Sequence, residues 1–253
     1  MSPKKFLTGE WRKLIMANYS LDPLMLKKYL PAMTELDYWE GKCFVSLVGF
    51  MFKNVKVKGI KIPFHIHFPE VNLRFYVRYL ENNSWKRGVV FINEIVPKPA
   101  IAFIANTIYK EHYSSLPMKY SWKNENDELV VSYQWKKNKK WNSIEVKAEA
   151  IASNLKSGSE EEFITEHFWG YSAISVKQTN EYHVEHPRWD IYSVKECTID
   201  CDFGSLYEEA FQYLADKKPD SIFMAEGSEI TIYQKRVLSR RPEPDSYRVR
   251  SGH

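Results

Sequence analysis

A chain of 253 residues with 44% hydrophobic and 27% charged content is long enough to bury a sizeable core, which excludes a low-complexity or disordered protein. Its net charge of +4, from 36 basic and 32 acidic side chains, is too small a bias to point to nucleic acid or an anionic membrane, and no apolar run reaches the length of a membrane span. Three cysteines without a paired CxxC motif exclude a disulfide framework or a structural zinc site, and the N-terminal MSPKKFLTGEW lacks a signal-peptide core, so the expected location is cytoplasmic.

An aromatic content of 15% favours sheet. Residues 11–19 read as a first strand, and Asp22-Pro23 caps a short helix over 24–30 that Pro31 ends. A strand over 35–39 precedes a long one over 43–57, apolar on both parities and therefore central, with Gly49 marking a bend or bulge. In the strand over 70–80, Val71, Leu73, Phe75, Val77 and Tyr79 share one face, while Glu70, Asn72, Arg74, Tyr76 and Arg78 share the other. That polar row fits either a solvated outer face or the lining of an enclosed site. Residues 85–96 pair with it as a hairpin and carry one carboxylate, Glu94, into an otherwise apolar strand.

Pro97-Lys-Pro99 breaks this strand, and Ile101, Ile104, Ala105 and Ile108 then fall at helical spacing. The strands 120–122, 129–135 and 141–148 form a meander joined by charged turns, and 154–162 is a flexible loop. Two aromatic and histidine clusters follow, 163–171 and 182–189, then a strand over 191–198. The helix 206–217 has the clearest apolar stripe, and the strands 221–225 and 229–237 flank a turn at 226–228. The expected organisation is a single domain over 1–237 with a disordered tail from 238 to 253.

His65-x-His67-x-x-Glu70 has metal-like spacing, but Pro69 interrupts it and no fourth ligand follows, so no metal and no cofactor is expected. A metal-dependent enzyme is the remotest reading. No GxSxG elbow or glycine-rich phosphate loop occurs. The basic hairpin Trp135 to Trp141 reads as a charged turn, and no nucleic-acid partner is expected. Lys110, Glu111 and His112 form either a solvated helix end or a site where a depressed amine pKa permits Schiff-base chemistry. His167, Trp169, His186 and Trp189 form either a pocket wall or aromatic core.

The segments FLTGEWRKLIMANY, YLPAMTELDYWEGKCFVSLVGFMF, FPEVNLRFYVR, RGVVFINEIVP, YxxxYxxLPM, EHFWGYS and EHPRWDIY resemble those of the YqjF-like family, a bacterial group of unknown function in the acetoacetate decarboxylase-like superfamily. The resemblance spans residues 6–237. It implies an α+β, mainly β fold: a strongly curved antiparallel sheet closing into a cone-like β-barrel around a small-molecule cavity, with a few flanking helices. Pro99-Ala-Ile-Ala102 resembles the stretch preceding the superfamily's Tyr-Pro-Lys-Lys motif. Read without a gap, Tyr109 matches the tyrosine and Glu111 the Schiff-base lysine; a shift of one residue brings Lys110 into that place, and Lys119 is a poorer substitute. Glu70 resembles the acid-base glutamate, and Gly9 replaces an arginine. The resemblance therefore implies loss of acetoacetate decarboxylation.

The expected function is a small-molecule-binding barrel, read as an enzyme acting on a carbonyl or carboxylate compound, with a non-catalytic ligand-binding or structural protein as the alternative. Glu70 and Lys110 are the catalytic candidates. Asn72, Arg74, Glu94, Glu111, Tyr113, Met118, His167, Trp169, His186 and Trp189 are the ligand-binding candidates, with Arg74 holding an anionic group through its forked donors. A homo-oligomer is compatible with these expectations, and a membrane partner is not expected.

Overall fold

A computed structural model describes residues 3–239. In chain order the strands are β1 (Lys5–Ser20), β2 (Glu35–Leu36), β3 (Phe44–Val57), β4 (Phe68–Glu81), β5 (Ser84–Val96), β6 (Tyr113–Ser115), β7 (Met118–Glu125), β8 (Glu128–Lys137), β9 (Lys140–Glu149), β10 (Trp169–Ser175), β11 (Gln178–Glu185), β12 (Ile191–Tyr192), β13 (Val194–Asp200), β14 (Ser221–Tyr233) and β15 (Arg236–Ser239). The α-helices are α1 (Pro99–Ile108), α2 (Glu160–Thr165) and α3 (Phe203–Tyr207), and 3-10 turns cover Pro23–Tyr29 and Glu209–Ala215. No helix among the described residues is long and apolar enough to cross a membrane.

The expected closed barrel is not what forms. Eleven strands make one sheet whose path runs β12-β14-β1-β3-β4-β5-β10-β11-β15, with β2 on β4 and β6 on β5. Beyond that path β11 meets β14 over only two residue pairs, Val184 with Ile232 and Glu185 with Thr231, and β12 and β15 remain as ends. The meander β7-β8-β9 leaves this sheet altogether and pairs with β13 as a separate four-stranded sheet. The large sheet is also not wholly antiparallel, since β10 and β6 each run parallel to β5.

Period-two alternation on the central strands produces two cores. On β4, Val71, Leu73, Phe75 and Val77 pack toward the small sheet, against Tyr133, Trp135, Ile144 and Val146. Tyr76, from the other parity, joins Phe44, Val48, Phe50 and Phe52 of β3 and Phe163 of α2 on the opposite face. Gly49 marks a close approach between the sheets: a Cβ there would meet Tyr133 Cδ2 at 2.8 Å. The residue that looked like a bend in the sequence is thus a packing requirement.

Three further expectations are corrected. The helix expected over 206–217 is broken at Glu208, whose φ of 92° interrupts the turn between α3 and the 3-10 segment. The two strands expected around 226–228 are one continuous strand, β14, with Gly227 at φ +80° inside it; a Cβ at Gly227 would overlap the Trp11 carbonyl on β1. Leu238 and Ser239, placed in the tail, belong to β15, and Leu238 is buried against the core. The rest of the expected tail, 240–253, lies outside the described residues.

Candidate functional site

The face of the large sheet that turns away from the small one encloses a cavity in two connected compartments. The outer compartment, about 200 Å³, lies between α1, the 58–67 loop and strands β1, β3 and β14; Leu7, Phe52, Val55, Ile62, Ile104 and Ile232 make it apolar. The inner one, about 70 Å³, is lined by Trp11, Asn72, Arg74, His167, Trp169, His186 and Trp189. Glu70, Glu94, Tyr113 and Tyr182 belong to both and form the passage between them.

Strand register explains the passage. Asn72 on β4 faces Glu94 on β5, and Glu94 faces Tyr113 on β6. Glu70, Asn72 and Arg74 share one face of β4 by parity, so all three point where Glu94 points. All four are buried, Glu70 to 2% and Glu94 to 3% exposure. Asn72 Nδ2 donates to Glu70 Oε1 at 3.0 Å, and the Tyr113 hydroxyl donates to Glu70 Oε2 at 3.3 Å. Glu111, just beyond α1, is also buried and hydrogen-bonded to Tyr182.

Three carboxyls in so small an apolar space cannot all ionise. Burial raises Glu70 to about 7, against the pull of Asn72, Tyr113 and the Arg74 charge. Burial also raises Glu111 to about 8, with repulsion from Glu70 adding to it and the Tyr182 hydrogen bond opposing it. Glu94 is pushed well above the carboxylate range by burial and by the negative charges of Glu111 and Glu70. Near neutral pH the passage therefore holds protonated acids beside one group that is half ionised.

Several polar atoms around it have no partner. Asn72 Oδ1, Arg74 Nε, Glu94 Oε2, Glu111 Oε1, Trp11 Nε1 and His167 Nδ1 are buried without a hydrogen bond. Arg74 Nη2 reaches only Met16 Sδ at 3.9 Å and the Ile164 carbonyl at 3.5 Å. Unsatisfied buried donors and acceptors are costly in an apolar setting, and a polar ligand group relieves several at once.

The two histidines of the inner compartment are held neutral. Burial lowers His167 to about 4 despite the hydrogen bond to Asp37, whose Oδ2 lies 3.2 Å from Nε2. Asp37 in turn accepts from Arg87 Nε at 2.7 Å. Burial likewise lowers His186 to about 4, and its ring stacks on Trp189 at 4.2 Å.

The structure brings together Glu70, Asn72, Arg74, Glu94, Glu111, Tyr113, His167, Trp169, His186 and Trp189. It does not bring in Lys110 or Met118. Lys110 is exposed with φ +57° and lines neither compartment. The left-handed turn sends its side chain outward and the next one, Glu111, inward. Met118 packs in the core beneath the small sheet, opposite Trp135. His65 lines the outer compartment, but its Nδ1 is bonded to the Pro63 carbonyl and His67 Nδ1 accepts from Asn54 N–H. Among the described residues no group of three His, Cys, Asp or Glu is close enough to hold a metal ion.

Sequence reasoning missed Tyr182 and Asp37. A signal for Tyr182 lay in Gly170, its register partner, since any Cβ at Gly170 would overlap the tyrosine ring. Asp37 carried no comparable signal, because its partners Arg87 and His167 are remote in sequence.

A family model, DUF2071, described as an uncharacterized conserved protein, matches residues 8–229. The uncharacterized protein YqjF of Bacillus subtilis is 29% identical over 110 residues, which is 43% of this chain and 44% of that protein, so the match spans less than half of the relative's length. Solved structures are similar across nearly the whole chain at low identity. Acetoacetate decarboxylase from Legionella pneumophila superposes with TM-score 0.63 and 14% identity, covering 94% of this chain and 88% of the other. An acetoacetate decarboxylase-like enzyme from Sphingomonas wittichii gives 0.66 and 13%, covering 93% and 94%. The enduracididine biosynthesis enzyme MppR, complexed with pyruvate, gives 0.65 and 11%, covering 94% and 92%. At such identities the likeness establishes the fold and leaves activity open.

Proposed function

The chain belongs to the DUF2071 family, and from that premise we propose that it binds a small carbonyl or carboxylate compound in the divided cavity and moves protons on it with buried carboxyls. A lysine Schiff base has no part in this chemistry. The observation that carries the reading is the buried trio Glu70, Glu94 and Glu111 in the same divided cavity as Arg74, whose Nε has no partner, with no lysine in the lining among the described residues. MppR, with the same fold, has been solved in complex with pyruvate, which makes a 2-oxo acid a reasonable first probe.

The step consistent with this arrangement is reversible enolisation. Ionised Glu70 removes a proton from the carbon next to the carbonyl, and the C–H pair becomes the C=C bond of the enol. A protonated Glu94 gives its proton to the carbonyl oxygen, so the two carboxyls exchange protonation states and no co-reactant is consumed. A base that titrates near neutral pH and an acid that stays protonated there is the division of labour such a step requires. Arg74 holds the substrate carboxylate.

The test is proton exchange in deuterium oxide followed by NMR on a panel of 2-oxo acids, together with borohydride trapping. Exchange should be catalysed and fall by about two orders of magnitude or more in Glu70→Gln, and trapping should leave the protein mass unchanged. A borohydride-stable adduct on Lys110 or any other lysine, or exchange that persists in Glu70→Gln, refutes the mechanism. Binding without exchange supports a non-catalytic ligand-binding protein.

A further inference from the structure

Resting on that reading, we infer that the ligand is an amphiphile: a medium-length aliphatic chain carrying an oxo-acid head, which enters head first. The two compartments differ in chemistry as well as size. The inner, about 70 Å³, ends at Arg74, with its unpartnered Nε, and at the unpartnered Trp11 Nε1. The outer is about 200 Å³ and is walled by Leu7, Val55, Ile62, Ile104, Ala105 and Ile232. A short oxo acid occupies the inner compartment and the passage, and leaves the apolar space empty. A chain attached to the carbonyl carbon fills it, and the carbonyl then lies beside Glu70 and Glu94, which belong to both compartments.

The way in is apolar as well. Phe64 in the 58–67 loop and Phe103 on α1 are 87% and 72% exposed, and each sits beside lining residues, Ile62 and His65 for one and Ile101 and Ile104 for the other. Large exposed side chains of this kind beside an apolar opening suit contact with an alkyl chain on its way inward. A site for a small hydrophilic acid has no use for them.

The experiment is calorimetric titration with straight-chain 2-oxo acids from pyruvate upward, with methyl ketones of matched length as neutral controls. On the native protein, affinity should rise about fourfold per methylene until the outer compartment is full, and then level off. Ala105→Trp, which fills part of that compartment, should abolish the gain with length. Ile104→Trp, at a half-exposed helical position, provides a second plug that does not depend on Ala105. Arg74→Met should weaken acids of every length by about tenfold or more and leave the ketones unaffected.

Affinity independent of chain length, or a length gain that survives both plugs, overturns the inference even if enolisation is confirmed. Length-dependent binding without Glu70-dependent exchange supports it and sinks the catalytic reading alone. Failure of every acid and ketone to bind overturns both.

Discussion

The Tyr113 hydroxyl lies 3.3 Å from Glu70 Oε2, although the two residues are 43 positions apart. The contact depends on a three-strand relay in which β4 sets Asn72 against Glu94 on β5, and β5 sets Glu94 against Tyr113 on β6. With Asn72, Tyr113 is one of two donors that favour ionised Glu70, so Tyr113→Phe should raise the Glu70 pKa above its value of about 7. Carbon-13 NMR of labelled glutamate measures it directly. An unchanged or lowered Glu70 titration rules the contact out as a determinant of that pKa.

The buried acids also set the pH dependence of stability. Glu70 and Glu111 titrate near 7 and 8 in the folded chain, against an ordinary value of 4.5. Below 4.5 both are protonated in folded and unfolded chains alike, so their contribution is fully present. Between 4.5 and 8 the unfolded chain releases protons that the folded one retains, and stability falls as pH rises, by several kcal/mol in total. Urea titrations from pH 5 to 8 should show this decline, and Glu111→Gln should flatten its upper part. Stability that increases through that interval contradicts the burial of these groups as acids.

Asp37 has the opposite sign. Burial pulls its pKa upward, but hydrogen bonds from His167 and Arg87 outweigh burial and leave it below its ordinary 3.8. Its stabilisation is therefore present above about 3.8 and lost as pH falls through the lowered folded value. Asp37→Ala should cost about 1 to 3 kcal/mol at neutral pH, because His167 and Arg87 each lose an acceptor. The same variant should leave His167 neutral, with its pKa lowered further, since Asp37 is what favours the imidazolium. A His167 titration that moves upward in the variant would count against the pairing.

Gly49 joins the two sheets through the absence of a side chain. Gly49→Ala places a methyl 2.8 Å from Tyr133 Cδ2 and 3.3 Å from Ile144 Cγ2, and Tyr133 is fully buried with little room to retreat. The expected loss is about 1 to 3 kcal/mol. Thermal melts check it, and a variant as stable as the parent would mean that the sheets separate without cost.

Much of the site was legible in the sequence. The alternation in EVNLRFYVR placed Glu70, Asn72 and Arg74 on one face, and Glu94 stood out as a lone carboxylate in an apolar strand. Membership of the family was readable from segments spread along most of the chain. Alternation alone could not say whether the polar row faces water or a cavity, because both produce the same period of two.

What only the tertiary structure decided turns on long-range pairing and on single backbone angles. The meander 118–149 has the same strand pattern as its neighbours, yet it leaves the large sheet because β13 supplies it with another partner. Closure of a sheet into a barrel is a matter of how the strands near its two ends register, and here β11 and β14 share only two residue pairs. One positive φ at Lys110 turns that amine out of the site, while Glu111, which the sequence also placed there, is buried within it. A local pattern fixes which residues share a face. Which face encloses the ligand, and whether Lys110 or its neighbour reaches it, depends on contacts between segments that the sequence keeps far apart.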